Sequence, residues 1–166
     1  KKSDDYLFKA AYTGHFYAQV TIFLKNNQLD NIESKKLAKQ MMSMLQKQSI
    51  NLYLALNSQL CCMLVVKIFW YENCTNRHRK IGRAILHNLV ERTNDDVAAK
   101  LLSEDYIEKN QYVESYLVLI DLMAAGCDDV FEPYFVDFIK RSETEQLKWL
   151  KLLKKRAEEG ILVYQW

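Results

Sequence analysis

Apolar residues recur along the chain with the spacing of helices. Phe16, Val20, Phe23 and Leu24 stand at i, i+4, i+7 and i+8, which places them on one stripe of a helix that ends at Asn26-Asn27. Before it, Leu7, Phe8, Ala11 and Tyr12 mark a helix that starts at Ser3, carries Asp4 and Asp5 against the positive end of its dipole, and stops at Gly14. Two helices joined at a glycine predict an antiparallel hairpin, with His15 opening the second. After a loop at 29–31, Leu37, Met41, Met44 and Leu45 form a third stripe, with Lys35, Lys36, Lys39 and Gln40 turned to water.

The stretch 50–71 is apolar nearly all round, so it predicts a central helix covered on several sides. Asn51, Asn57, Ser58, Gln59 and Lys67 interrupt it, and each is costly in hydrocarbon, which argues against a membrane span. A break at 73–76 precedes a basic helix with Ile81, Ile85, Leu86, Leu89 and Val90 on its apolar side. Asn94 is the expected cap of a short helix with Asp95 and Asp96 in its first turn and Val97, Ala98, Leu101 and Leu102 buried. Ser103, followed by Glu104 and Asp105, is expected to start another.

The segment 111–125 carries two stripes, Val113-Leu117-Ile120-Ala124 and Tyr112-Tyr116-Leu119-Met123, and reads as a second central helix closed by Gly126. Asp128 or Asp129 opens the next, with Pro133 in its first turn and Phe131, Tyr134, Phe135 and Phe138 aligned. Ser142 with Glu145 makes a capping box for the last helix, which runs to Gly160. The apolar tail 161–166 either folds back over Leu147, Leu150 and Leu153 or begins the next element of a longer protein.

Composition narrows the class. Four Gly and one Pro are too few for the corners of a β-sandwich, a barrel or a βαβ fold. The expectation is a single all-α domain over residues 1–166, a segment of a larger protein, with about nine short helices packed as antiparallel pairs. An α-solenoid is favoured over a compact bundle, which would use longer helices. Four cysteines without a CxxC pair, two of them adjacent in the most apolar stretch, read as free buried thiols of an intracellular protein, cytoplasmic or nuclear. A net charge of +2 requires any electrostatic function to be local.

The run Ile81-Gly82-Arg83-Ala84-Ile85-Leu86-His87-Asn88-Leu89-Val90, followed by Asn94 and the helices from Gln111, resembles the third helix of an armadillo-type repeat and the start of the next unit. That resemblance, over about a third of the chain, implies an armadillo/HEAT-like solenoid. Peptide-binding armadillo repeats place Trp one turn before the Asn. Ala84 stands there before Asn88, so the peptide clamp is absent and the implication concerns the fold. Ala10-Ala11-Tyr12-Thr13-Gly14-His15 is similar to the helix-turn-helix of an ankyrin repeat, without a second copy.

No motif points to catalysis. The chain has no Gly-rich phosphate loop, HExxH or GxSxG, and Asp95-Asp96 and Asp128-Asp129 fall where helix first turns favour carboxylates. His78 and His87 lie nine positions apart on one helix, at about 100° per residue on opposite faces, so they do not form a metal pair. Cys74, near Arg77, His78, Arg79 and Lys80, is the one cysteine whose setting could make a reactive thiol, but an ordinary exposed cysteine is the favoured reading. Neither a cofactor nor a metal is called for, and the chain is read as not an enzyme.

Two basic clusters remain. Lys148, Lys151, Lys154, Lys155 and Arg156 lie in the later turns of a helix, where its dipole favours cations, and read as a solvated face. Arg77, Arg79, Lys80 and Arg83 lie at a helix start, where the dipole disfavours them; a solvated loop is the favoured reading, with phosphate, an acidic peptide or a neighbouring acidic segment as the alternatives. The candidate partner-binding residues are therefore Arg77, Arg79, Lys80, Arg83 and Asn88, together with Tyr112 and Tyr116 as a tyrosine-lined groove. The leading expectation is a helical scaffold segment that binds another protein or another segment of its own chain. The alternative is a nucleic-acid or phosphate-binding helical domain using the cluster at 77–83. No membrane partner is expected.

Overall fold

Most helices begin on a side chain that the sequence offers as a cap. In the computed structural model, His15 Nδ1 accepts the Ala18 N–H at 3.3 Å, Asn31 Oδ1 that of Ser34 at 2.8 Å, and Asn57 Oδ1 that of Leu60 at 2.9 Å. Thr75 Oγ1 accepts from His78 at 3.2 Å, Asp95 Oδ1 from Ala98 at 2.9 Å, and Ser142 Oγ from Glu145 at 3.3 Å. The structure describes residues 2–70, 74–109, 111, 114–115, 118, 136 and 138–158.

Among the described residues there are eight α-helices, rather than about nine, and no strand. They are α1 (Lys2–Tyr12), α2 (Phe16–Asn27), α3 (Ile32–Leu45), α4 (Ile50–Leu54), α5 (Ser58–Val65), α6 (Asn76–Thr93), α7 (Asp96–Glu108) and α8 (Glu143–Glu158), with a π-helical turn at Val66–Trp70. No helix among the described residues is long and apolar enough to cross a membrane. The chain forms two compact units, Lys1–Ile85 and Leu86–Trp166.

In the first unit α2 packs on both α1 and α3. Gly14 supplies the reversal between α1 and α2 with φ of +99°, a conformation that a side chain would strain. Buried Gln19 donates to the Ala11 carbonyl at 2.9 Å, and Gln48, just past α3, donates to Gly14 O at 2.8 Å and to Gln19 Oε1 at 2.9 Å. These bonds bring the end of α3 back to the start of α2, so the three helices run up, down and up. Such a layer is common to bundles and to solenoids.

The expected central helix over 50–71 is not one helix, and within the described part burial on several sides is confined to 61–70, Tyr53 being the buried residue of 50–60. α4 stops at Leu54, Asn57 leaves the helical conformation to cap α5, and the chain widens into the π turn after Val65. Asn57 gains more as a cap than as a polar residue inside a helix. The π turn carries three consecutive buried side chains, Ile68, Phe69 and Trp70. Tyr53 sits at the centre of this unit, with Phe16 edge-on at 4.9 Å between ring centroids, Phe69 at 5.3 Å, and its hydroxyl on the Leu45 carbonyl at 2.6 Å.

In the second unit the junction of α6 and α7 departs from the expected caps. Asn94 has φ of +50° and donates its N–H to Val90 O at 3.0 Å, so it closes α6 in the left-handed conformation that Asn tolerates. Asp95 is the residue that caps α7. Ser103 does not restart a helix. α7 runs through it without a break, and Asp105 is buried within the helix with Lys109 at 3.5 Å one turn on. Val97 is 54% exposed rather than buried. The Ser103 hydroxyl is buried with no hydrogen-bond partner. Removing an unsatisfied buried hydroxyl relieves its desolvation cost, so Ser103→Ala should stabilise the protein by about 1 kcal/mol, read as a raised denaturation midpoint; an equal loss would show that the hydroxyl is satisfied.

Gln146 of α8 donates to the carbonyls of Phe138 and Arg141 at 3.0 and 3.3 Å, and the Phe138 and buried Trp149 rings lie 5.1 Å apart. The expectations for 111–125 and 128–135, and the tail 161–166, lie outside the described residues, apart from single positions.

Candidate interaction surfaces

The basic cluster begins on a reciprocal cap. Thr75 Oγ1 accepts the His78 N–H, and His78 Nδ1 accepts the Thr75 N–H at 3.3 Å, a capping box with His in the place usually taken by Glu or Gln. Arg77 and Lys80 are exposed, and Arg83 is half-buried. Arg79 has a different setting. Its guanidinium lies 3.9 Å from the centroid of the Trp70 ring and donates to the Trp70 carbonyl, satisfying an acceptor near the end of the π turn. What places this cation against the helix dipole is thus Trp70, nine residues upstream.

The two kinds of arginine should separate by substitution. Arg77→Glu and Lys80→Glu are expected to shift stability by no more than about 0.5 kcal/mol, as exposed changes usually do. Arg79→Glu loses a ring contact and a charge-assisted hydrogen bond and should cost about 1–3 kcal/mol in denaturant unfolding. Equal effects at all three positions would remove the structural role of Arg79.

Cys74 donates its thiol to the Ile68 carbonyl at 3.3 Å. Burial pushes this thiol up and Arg79 offsets part of the rise. The net direction disfavours the thiolate, which speaks for the ordinary cysteine rather than the reactive one, although Cys74 is half-buried rather than exposed. Cys61 and Cys62 are buried, as their apolar surroundings suggested. His87, in the second unit, is hydrogen-bonded to the Tyr106 hydroxyl, and Asn88 is half-buried. Among the described residues no group of three or more His, Cys, Asp or Glu is placed to hold a metal ion. Tyr112 and Tyr116 lie outside the described residues.

Among the described residues of the second unit, two large apolar side chains stand exposed on α8. Trp149 points inward, and at about 100° per residue Leu150 and Leu147 lie roughly 100° and 160° around the helix from it. Both face water, Leu147 at 61% and Leu150 at 53% exposure. Around them Lys148, Lys151, Lys154 and Lys155 are exposed, whereas the exposed acidic residues Glu143, Glu145 and Glu158 occupy the two ends of the helix. On the preceding segment Val136 and Ile139 are exposed as well. Periodicity had marked these leucines as apolar positions in need of a cover. It carried no signal for whether a neighbour supplies one.

The arrangement offers apolar contact and positive charge on one helix face. Compared with protein-family models, with curated proteins and with solved structures, the chain matches none, and the armadillo-type resemblance of 81–90 gains no support from them.

Proposed function

We propose that this chain is a non-enzymatic helical interaction module, a scaffold segment that binds another protein or another part of its own chain. The observation that carries this reading is the outer face of α8, where two leucines one turn apart stand more than half exposed on a helix anchored from its other side by Trp149. Isolated exposed leucines are ordinary, but a paired apolar stripe framed by charge is the form taken by helix-mediated contacts. Within this reading, the up-down-up layer of α1, α2 and α3 is the first part of an α-solenoid whose later pairs extend the same packing. The adjacent Cys61 and Cys62, buried in the most apolar stretch, suit a reducing, intracellular setting.

The test is capture with the intact chain as bait, followed by reconstitution with the purified partner. A saturable complex of the two purified proteins is the expected result. Failure of every captured candidate to form one, under conditions where the chain is folded, would contradict the interaction reading.

A further inference from the structure

We propose that the outer face of α8 docks a protein helix of complementary chemistry, one with a leucine stripe flanked by carboxylates. The proposal rests on the interaction-module reading and specifies the partner that its surface fits.

The apolar part of the face is Leu147 and Leu150, at i and i+3, which is the spacing at which one helix presents side chains to another. The charged part is Lys148, Lys151, Lys154 and Lys155, all in water, with acidic residues confined to the ends of the helix. A partner that covers the leucines brings its own flanks within a few ångströms of these ammonium groups, well inside the Debye length of about 8 Å at physiological salt. Carboxylates there are attracted and further lysines repelled. The same sign rule disfavours a second copy of α8, which would set lysine against lysine. An anionic bilayer fits less well. Interfacial helices turn their large aromatics outward, whereas Trp149 is turned inward against Phe138, and two leucines leave little apolar surface to insert.

The experiment uses the full chain and a labelled synthetic peptide of three heptads, with leucine at the a and d positions and glutamate at e and g, read by fluorescence anisotropy. Saturable binding that weakens as salt rises is expected. Leu147→Asp and Leu150→Asp, at exposed positions that leave the helical circular dichroism unchanged, should each weaken it at least tenfold. A matched peptide with lysine at e and g should bind at least tenfold more weakly than the glutamate peptide. The double variant K151E/K154E should reverse that preference, an effect that loss of folding does not produce.

Absence of saturable binding, full binding by the aspartate variants, or an unreversed preference in K151E/K154E would each overturn the proposal. So would binding to phosphatidylserine-containing vesicles without peptide binding, which points to a membrane. Self-association abolished by Leu147→Asp would point to a second copy, and a tenfold gain in peptide affinity on removing residues 161–166 would make the chain's own tail the occupant; either outcome overturns the assignment. A partner captured by the broader test that binds the Leu147→Asp chain as tightly as the native one removes this face and leaves the interaction-module reading standing.

Discussion

Replacing Tyr53 by alanine is expected to cost about 3–5 kcal/mol, the range for truncating a large aromatic in a well-packed core. Tyr53 is fully buried between Phe16 and Phe69, and its hydroxyl ties the start of the buried stretch to the end of α3 through the Leu45 carbonyl. Tyr53→Phe keeps the rings and leaves the Leu45 carbonyl the Gln48 N–H at 3.2 Å, so it should cost less, about 0.5–1.5 kcal/mol. The two variants also differ in alkali. Burial raises the Tyr53 phenol above its ordinary value of 10.0, with Cys61 adding a smaller effect in the same direction. A raised folded-state value means that the unfolded chain releases this proton first. The stability linked to Tyr53 is therefore complete below pH 10 and declines as pH rises beyond it. Denaturant unfolding from pH 8 to 11 should show a smaller alkaline loss in Tyr53→Phe than in the native chain. Equal slopes would mean that the phenol is not held in its neutral form.

Trp70→Ala is the second large effect, again about 3–5 kcal/mol, because it empties the buried end of the π turn and removes the ring beneath Arg79. It carries a signature at a second site. A Cβ on Gly82 would lie 3.1 Å from Phe69 Cβ and 3.1 Å from Trp70 Cε3, close enough that these neighbours would have to give by a few tenths of an ångström. Gly82→Ala gains about 1 kcal/mol of helix propensity and loses about 1–3 kcal/mol to overpacking, a net loss in the native background. In the Trp70→Ala background one of the two close contacts is gone. The cost of Gly82→Ala should fall there by at least about 0.5 kcal/mol, a coupling measurable in a double-mutant cycle. Additive effects would separate Gly82 from Trp70.

Local signals were legible in the sequence where one residue decides the backbone. The reversal at Gly14, the cap at Ser142 and the stripe of α2 follow from single positions and their spacing. Legibility failed where two local solutions compete. Asn57 read as an interruption within a helix and is a cap between two. Asn94 and Asp95 are both good caps, and the left-handed conformation at the end of α6 takes the Asn. Ser103 read as a start because serine before two acidic residues usually is one, while the burial of α7 on either side overrides that preference.

The candidate surfaces divide in the same way. Arg79 stood out as a cation in an unfavourable field, and its explanation is a tertiary contact with Trp70 that no local pattern encodes. Lys148, Lys151, Lys154 and Lys155 of α8 are exposed, as the dipole argument placed them. That Leu147 and Leu150 share their exposure could not follow from periodicity, which places side chains on a face without naming what lies opposite.

The central claim, that the outer face of α8 is where this chain meets another protein, is tested most directly by methyl-resolved NMR of leucine-labelled full chain titrated with the glutamate-flanked peptide. The expected result is progressive, saturating shifts of the Leu147 and Leu150 methyl groups, with the buried Leu45, Leu64 and Leu86 unmoved. Saturating shifts confined to other leucines, or unchanged Leu147 and Leu150 signals at saturating peptide, would contradict it.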